Sequence, residues 1–313
     1  MKTAGGYISG EELSRSLGVT RSAVWKTIQA LRADGYTIDS VTNKGYRLLQ
    51  SPDAVDEERV REALDCELVG TNILHLKTVD STNNEVKRRA LGGEPGGLVV
   101  VSDVQTGGKG RFGRVWQSDS GGLYFSVLIR PELPPAEIAA ITLAAGYAVC
   151  LAVRQVTGLD ARIKWPNDII IGNRKICGIL TEMSAQSDRI DYAVIGIGVN
   201  VNNTAFPDEL KTKALSIRMA LGSPVDKTLL LTEIIRKLDR VLSEFLVSLS
   251  VDDLEQFKTF CATLGRRVCT VRGGKEITGT ACDIAPTGKL IIMTDSGEKL
   301  PIDSGEVTVQ GIY

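Results

Sequence analysis

The sequence predicts an α+β chain in three parts: a small helical module at the N-terminus, a central region mixing strands and helices, and a C-terminal stretch of short strands. Three observations carry that reading. First, 313 residues leave room for two or three domains at roughly 100–200 residues each. Second, charge is nearly balanced overall, with 37 basic against 38 acidic residues, yet residues 1–48 hold seven basic side chains (Lys2, Arg15, Arg21, Lys26, Arg32, Lys44, Arg47) and only four acidic ones (Glu11, Glu12, Asp34, Asp39). Third, beyond Gly265 short β-rich runs are parted by Arg272-Gly273-Gly274, Pro286-Thr287-Gly288 and Asp295-Ser296-Gly297. The boundaries fall at 1–48 for the N-terminal module, 49–72 for an acidic linker and short helix with Pro52 as breaker, 73–264 for the central domain and 265–313 for a small β-barrel.

In the N-terminal module, Ser9-Gly10-Glu11-Glu12 has the form of a capping box and opens a helix carrying Leu13 and Leu17 on one face. Gly18 ends it, and Thr20 caps a second helix with Val24, Ile28 and Leu31 on its buried stripe. Tyr36-Thr37-Ile38 and Tyr46-Arg47-Leu48 then flank the turn Asn43-Lys44-Gly45 as a hairpin. Helix, glycine turn, helix and hairpin is the plan of a winged helix-turn-helix. Arg21, Ser22, Lys26 and Gln29 fall away from the buried stripe, giving cations for phosphates and polar groups for base edges, and Lys44 sits on the wing. A helical interaction module with merely solvated charges has the same burial pattern. Such domains pack three helices, and Met1–Ala4 read as the last turn of the first with Gly5-Gly6 as its stop, so that either the true start lies upstream or the module is incomplete.

Composition removes several kinds of chemistry from the rest. His75 is the single histidine, and in the strand Ile73-Leu74-His75-Leu76 it is expected to be structural, so no His-rich metal site is predicted and a Ser-His-Asp mechanism is disfavoured. The six cysteines (Cys66, Cys150, Cys177, Cys261, Cys269, Cys282) form no C-x-x-C pair and read as reduced, mostly buried thiols, favouring the cytoplasm. The longest apolar run, Ile138 to Val153, is closed by Arg154, falls short of the ~18–20 residues that span a bilayer and reads as a buried helix. No membrane partner is expected, and MKTAGGYISGEE lacks the apolar core of a secretory signal.

The richest segment is Gly107-Gly108-Lys109-Gly110-Arg111-Phe112-Gly113-Arg114-Val115-Trp116, after the apolar strand Gly97 to Val101. Its G-x-G-x-x-G spacing imitates a dinucleotide loop, but such a loop opens a helix, whereas here Arg114-Val115-Trp116 and then Leu123 to Arg130 are expected to continue as strand. What remains distinctive is three cations among glycines, which suits anionic oxygens. Farther on, the strand Ala161 to Lys164 ends in Lys164-Trp165-Pro166-Asn167-Asp168, Ile169-Ile170-Ile171 resumes, and Gly172-Asn173 turns the chain into Arg174-Lys175-Ile176-Cys177-Gly178-Ile179-Leu180. Lys175 beside that apolar run could equally be a snorkelling edge residue. Gly196 and Gly198, inside the apolar strand Val194 to Val201, mark a close approach of backbone or ligand.

Together these segments resemble the bacterial biotin protein ligases that double as biotin operon repressors. The likeness covers nearly the whole chain and rests on Asp80-Ser81-Thr82-Asn83, Gln105 through Trp116, Lys164 through Asp168, Arg174 through Leu180, Gly196 through Asn200 and Ser304-Gly305-Glu306-Val307, behind a winged helix. It implies an α+β multi-domain fold: a winged helix-turn-helix, a central α/β mixed-sheet ligase domain and an SH3-like C-terminal barrel. It also implies two steps, in which biotin and ATP (with Mg2+) give biotinyl-5′-adenylate, and the biotinyl group then passes to a lysine of biotin carboxyl carrier protein. Biotin would be both substrate and precursor of the co-repressor. Operator DNA and a homodimer formed in the adenylate-bound state are the further partners implied.

By the same resemblance, Ser81, Thr82, Asn83 and Gln105 correspond to the polar wall for the ureido ring of biotin, and Lys109, Gly110 and Arg111 to the loop that closes over biotin. Arg111, Lys175 and Asp168 correspond to the catalytic set, with Lys175 reaching the biotin carboxylate and Asp168 serving as base or orienter. Arg111, Arg114, Trp116 and Asn200 correspond to the nucleotide contacts. The family usually has arginine where Lys109 stands, a bidentate fork replaced by a point charge. Two other readings remain open at this stage: an effector-binding transcription factor without chemistry, and a lipoate-type ligase.

Overall fold

Ser9 opens the first helix as its pattern requires. Its hydroxyl accepts the Glu12 N–H at 3.1 Å, α1 runs over Gly10–Leu17, and Gly18 closes it in the left-handed region at φ 65°. The computed structural model describes residues 6–33, 36–50, 53–247, 251–303 and 305–313; Met1–Gly5, Pro52 and Ser304, which figure in the sequence reading, lie outside them. The chain divides into two compact units, Met1–Ala54 and Val55–Tyr313.

In the first unit, Thr20 Oγ1 accepts the Ala23 N–H at 3.2 Å at the start of α2 (Arg21–Ala33), and β1 (Thr37–Val41) pairs antiparallel with β2 (Gly45–Gln50) to form the wing. Leu13, Val24, Ile28 and Ile38 make the core, with Leu31 packed against it. Leu17, one turn on from Leu13, does not join it. It is 64% exposed, in the last turn of α1 and outside that cluster.

The second unit begins with α3 (Glu57–Ala63) and is built on a mixed sheet. Its strands are β3 (Asn72–Val79), β4 (Leu98–Gln105), β5 (Gly122–Ile129), β6 (Ala161–Lys164), β7 (Asp168–Ile171), β8 (Arg174–Ala185) and β9 (Ile190–Asn200), in the order β3-β4-β5-β9-β8-β7-β6. Only β3 and β4 are parallel. Strand alternation sorts the two faces. Val99, Val101, Phe125, Val127, Cys177, Ile179, Ile195, Ile197 and Val199 point into the large core with α5 (Ile138–Thr157) and α7 (Lys227–Val247). The intervening Val100, Leu128 and Val194 pack under α4 (Thr82–Leu91), and the same face carries Ser126, Gly178, Gly196 and Gly198. A short α6 (Ile217–Leu221) precedes α7, and α8 (Val251–Phe260) follows it.

The run read as a buried helix is α5. At 20 residues it is longer than the sequence suggested, and a helix this long and apolar could cross a membrane by composition alone; its extensive burial in the protein makes it the core helix. The C-terminal strands β10 (Arg267–Arg272), β11 (Lys275–Ile284), β12 (Leu290–Thr294), β13 (Lys299–Ile302) and β14 (Val307–Val309) form an antiparallel sheet ordered β13-β12-β11-β10-β14. Trp165 joins this domain to the central one: fully buried, it donates its indole N–H to the Gly288 carbonyl at 3.0 Å. Arg114–Trp116 is not strand, correcting the sequence reading. A bridge between Lys109 and Val115 and the Gly110 N–H to Arg114 carbonyl bond (2.7 Å) close the glycine-rich segment into a loop, with a 3-10 turn at Arg111–Gly113.

Candidate active site

A cavity of about 580 Å³ opens on the α4 face of the sheet. It collects Ser81, Thr82, Asn83, Gln105, Lys109, Gly110, Arg111, Arg114, Trp116, Asp168, Lys175 and Asn200, so every residue singled out for ligase chemistry lines one space.

One end is neutral and buried. Ser81 is the N-cap residue of α4 but makes no side-chain bond to the helix. Gln105, at the end of β4, accepts the Thr82 backbone N–H at 2.8 Å and lies 3.1 Å from the Thr82 hydroxyl, and it donates to the Ser118 hydroxyl at 2.8 Å. Ser126, fully buried on β5, sits 2.6 Å from Asn83 Oδ1 and 2.7 Å from Thr82 Oγ1. The strand glycines make room for these groups. A Cβ at Gly196 would stand 2.0 Å from Asn83 Oδ1, and one at Gly198 would stand 2.5 Å from Trp116 Nε1. The close approach expected there is made by Asn83 and Trp116. The Trp116 indole N–H is buried and has no hydrogen-bond partner among the described residues.

The other end is cationic. Lys175 Nζ lies 2.6 Å from Asp168 Oδ1 and 5.1 Å from the centre of the Trp116 ring, so it points into the cavity rather than out along an edge. Tyr313 donates its hydroxyl to Asp168 Oδ2, and Lys164 Nζ stands 3.8 Å from the Tyr313 ring centre. Burial pushes the Lys164 pKa down and the Tyr313 pKa up, and the charge of Asp168 adds to the shift of Tyr313. Arg111, its pKa lowered by burial, donates to Asn167 Oδ1 at 2.8 Å and to the Gly305 carbonyl at 3.0 Å. Arg114 pairs with Glu306 at 2.6 Å, and Lys109 donates to Asn84 Oδ1 at 2.9 Å. Asn200 donates to the Leu215 carbonyl at 3.2 Å.

Sequence reasoning did not single out Ser126, Asn167, Glu182, Gly305, Glu306 or Tyr313 as site residues. Ser126 left one trace, a hydroxyl in the otherwise apolar run Leu123 to Ile129, on the face shared with Tyr124. His75 keeps its structural reading, bonded to Asp103 at 2.9 Å. Of the cysteines, Cys150, Cys177 and Cys261 are buried, Cys66 and Cys269 partly so, and Cys282 is exposed; burial pushes Cys66 up to about 11 and Cys150 up to about 12, away from nucleophilic use. In the N-terminal unit, Arg21, Ser22, Lys26 and Lys44 are exposed and Gln29 is partly so. The exposed Trp25 shares the outer side of α2 with them.

A buried wall of uncharged polar groups facing a cluster of cations, on a mixed sheet beside a small antiparallel domain, suits a ligand with a neutral polar end and an anionic one. Residues 76–200 match the biotin/lipoate A/B protein ligase family, residues 1–47 an HTH domain and residues 263–309 the biotin protein ligase C terminal domain. The bifunctional ligase/repressor BirA of Bacillus subtilis is 36% identical over 94% of this chain and 91% of its own length. That of Escherichia coli is 30% identical over 98% and 94%. The structure of biotin protein ligase from Aquifex aeolicus in complex with biotin and ATP superposes with a TM-score of 0.68 at 31% identity, covering 77% of this chain and 99% of that one. The chain belongs to the biotin protein ligases, and among them to the bifunctional ligase/repressors. The comparisons give no support to a transcription factor without ligase chemistry or to a lipoate-type enzyme.

Proposed function

We propose that the cavity takes biotin with its ureido ring against Ser81, Thr82, Asn83 and Gln105 and its carboxylate toward Lys175, with ATP at the cationic end. The observation that carries this is the division of one cavity into a neutral, hydrogen-bonding end and an end holding Arg111, Arg114, Lys164 and Lys175. Small donors and acceptors suit a neutral urea, and the cations suit a carboxylate and three phosphates. Lys175, held by Asp168, stabilises charge as the biotin carboxylate attacks the α-phosphorus and pyrophosphate leaves. Asp168 acts as an orienter, its two oxygens engaged by Lys175 and Tyr313. Arg111 and Arg114 exchange their present partners for phosphoryl oxygens, Gly110 lets the loop approach closely, and Trp116 stands between biotin and the nucleotide. Asn200, with Asn203, whose buried Oδ1 has no partner among the described residues, would offer oxygen to a Mg2+ ion bound with ATP.

The second step needs no nucleophile from this chain. The ε-amine of a lysine on biotin carboxyl carrier protein attacks the adenylate carbonyl, and AMP leaves. Positioning and charge stabilisation are the enzyme's share. In the N-terminal unit, Arg21, Ser22, Lys26, Gln29 and Lys44 would meet operator DNA, and two adenylate-bound copies would pair on a palindromic site. We place the protein in the cytoplasm and divide it at 1–48, 49–72, 73–264 and 265–313.

Pyrophosphate release tests the ligase reading. It should require biotin and ATP together and resist competition by lipoate; release with lipoate alone overturns it. Sedimentation tests the dimer: biotin plus ATP should raise the dimer fraction, and an unchanged monomer removes that part.

A further inference from the structure

Behind the neutral wall, outside the cavity, lies Glu182 on β8. Its carboxylate receives the Asn83 amide N–H at 2.8 Å and the Lys87 ammonium at 2.6 Å. We propose that Glu182 is a positioning residue that sets the donor and acceptor polarity of the wall by holding the Asn83 amide in one orientation. The inference rests on the reading of that wall as the ureido site.

An ionised carboxylate only accepts, so the amide NH2 of Asn83 must face it. Burial alone would raise the Glu182 pKa, but the hydrogen bonds from Lys87 and Asn83 and the charges of Lys87 and Lys109 hold it below the usual value. The Leu180 carbonyl, 3.4 Å from Asn83 Nδ2, is a second acceptor on the same side. Asn83 Oδ1 is thereby turned to Ser126, whose single proton must go to it across 2.6 Å. Ser126 then has none for Thr82, so among the described residues the Thr82 proton goes either to Ser126 across their 2.7 Å contact or to the Gln105 oxygen at 3.1 Å. In neither case is a Thr82 proton left for a ligand. Thr82 faces the cavity as an acceptor, matched to a ureido N–H.

Without Glu182 the amide can turn over. Its NH2 would face Ser126, Ser126 would donate to Thr82, and the Thr82 proton, no longer needed between those two hydroxyls, would be shared between the Gln105 oxygen and the cavity. A wall that only accepted there would then serve donors and acceptors alike. The selectivity of the pocket for an N–H therefore depends on a group that does not touch the ligand.

The test compares biotin with two analogues in which one or the other ureido N–H is replaced by a ring oxygen, using calorimetric affinities on the full chain. Glu182→Leu should weaken biotin binding about tenfold and shrink the preference over the sensitive analogue by a similar factor. Glu182→Gln, whose carbonyl oxygen still accepts from Asn83, should keep that preference. An unchanged preference in a folded Glu182→Leu protein overturns the proposal. Asn83→Asp gives a second route independent of that variant: two facing carboxylates must share a proton, so biotin affinity should fall as pH rises, and adding Glu182→Gln should flatten the profile. A flat profile in Asn83→Asp alone also overturns it. Thr82→Val separates the two readings: if it binds biotin and both analogues as the unmodified chain does, the assignment of the ureido site has failed.

Discussion

The two ends of the cavity are built in opposite ways. Ser81, Thr82 and Asn83 are at most 4% exposed and start a helix packed on the sheet, and Thr82 and Asn83 share hydrogen bonds with Gln105 and Ser126. The basic loop instead leaves Phe112 67% and Val115 80% exposed, and holds Phe112 at φ 58°, a left-handed conformation that costs a bulky residue on the order of 1 kcal/mol. Its tethers run to other elements: Lys109 to Asn84 on α4, Arg111 to Asn167 and Gly305, Arg114 to Glu306. The difference follows from the ligand groups proposed for each end. A neutral urea is recognised only by donors and acceptors already in place, because each misplaced group costs a hydrogen bond. Anions are recognised by charge, which tolerates a loop that must let substrate in and close after it.

The largest break should come from the cationic end. Lys175→Ala is expected to slow pyrophosphate release about 10²–10³-fold, as loss of an oxyanion-type donor does, with biotin affinity much less affected. A near-normal rate would return Lys175 to the role of a snorkelling edge residue. Arg111→Gly comes next and separates loop closure from chemistry. It removes the charged donor proposed to hold the phosphoryl oxygens, about 3 kcal/mol for two such bonds, so the adenylate should leave roughly 10²-fold faster and biotinylate bystander lysines. Loss of all labelling would assign Arg111 to the first step instead. Ser126→Ala probes the rigid end. It strands the buried Asn83 oxygen at a cost of about 1–3 kcal/mol, so biotin should bind roughly tenfold or more weakly with catalysis at saturation kept. If turnover fell as much as affinity, the wall would not be the preformed element described.

What the sequence made legible follows how local each signal is. The glycine strand was readable because its signal is local, Gly196 and Gly198 spaced by two within an apolar strand, which puts both on one face, whereas the wall of Ser81, Thr82, Asn83 and Gln105 was named only through the family resemblance. The partners of the loop were not readable. Gly305, Glu306 and Tyr313 meet Arg111, Arg114 and Asp168 only after the C-terminal sheet has docked through Trp165, and no periodicity records a pairing between residues 145 to 194 positions apart. Glu182 was hidden for another reason: in a strand that reads as alternating, a charged residue at a partly exposed position looks solvated until Asn83 is seen against it. Arg114–Trp116 was misread because β propensity says nothing about a glycine-flanked chain reversing on itself, which the Lys109–Val115 bridge enforces.

The smallest predicted effect tests how far the rigidity of the wall reaches back into the sheet. Strands β3 and β4 deliver Ser81–Asn83 and Gln105 to the cavity, and His75 on β3 bonds Asp103 on β4. The bond to Asp103 raises the His75 pKa, burial opposes this, and the charges of Asp103 and Glu57 add to the rise. A group whose pKa is raised in the folded state gives its full stabilisation below the unfolded value near 6.5 and loses it as pH climbs through the folded value. The melting temperature of the unmodified chain should therefore drop relative to His75→Gln as pH rises from about 6 to 8, by a few degrees at most for an interaction worth about 1 kcal/mol. Biotin affinity measured over the same range should follow the melting difference if the clamp holds the wall, and stay level if α4 alone does. Parallel melting curves for the two proteins would show that the strands need no charge between them.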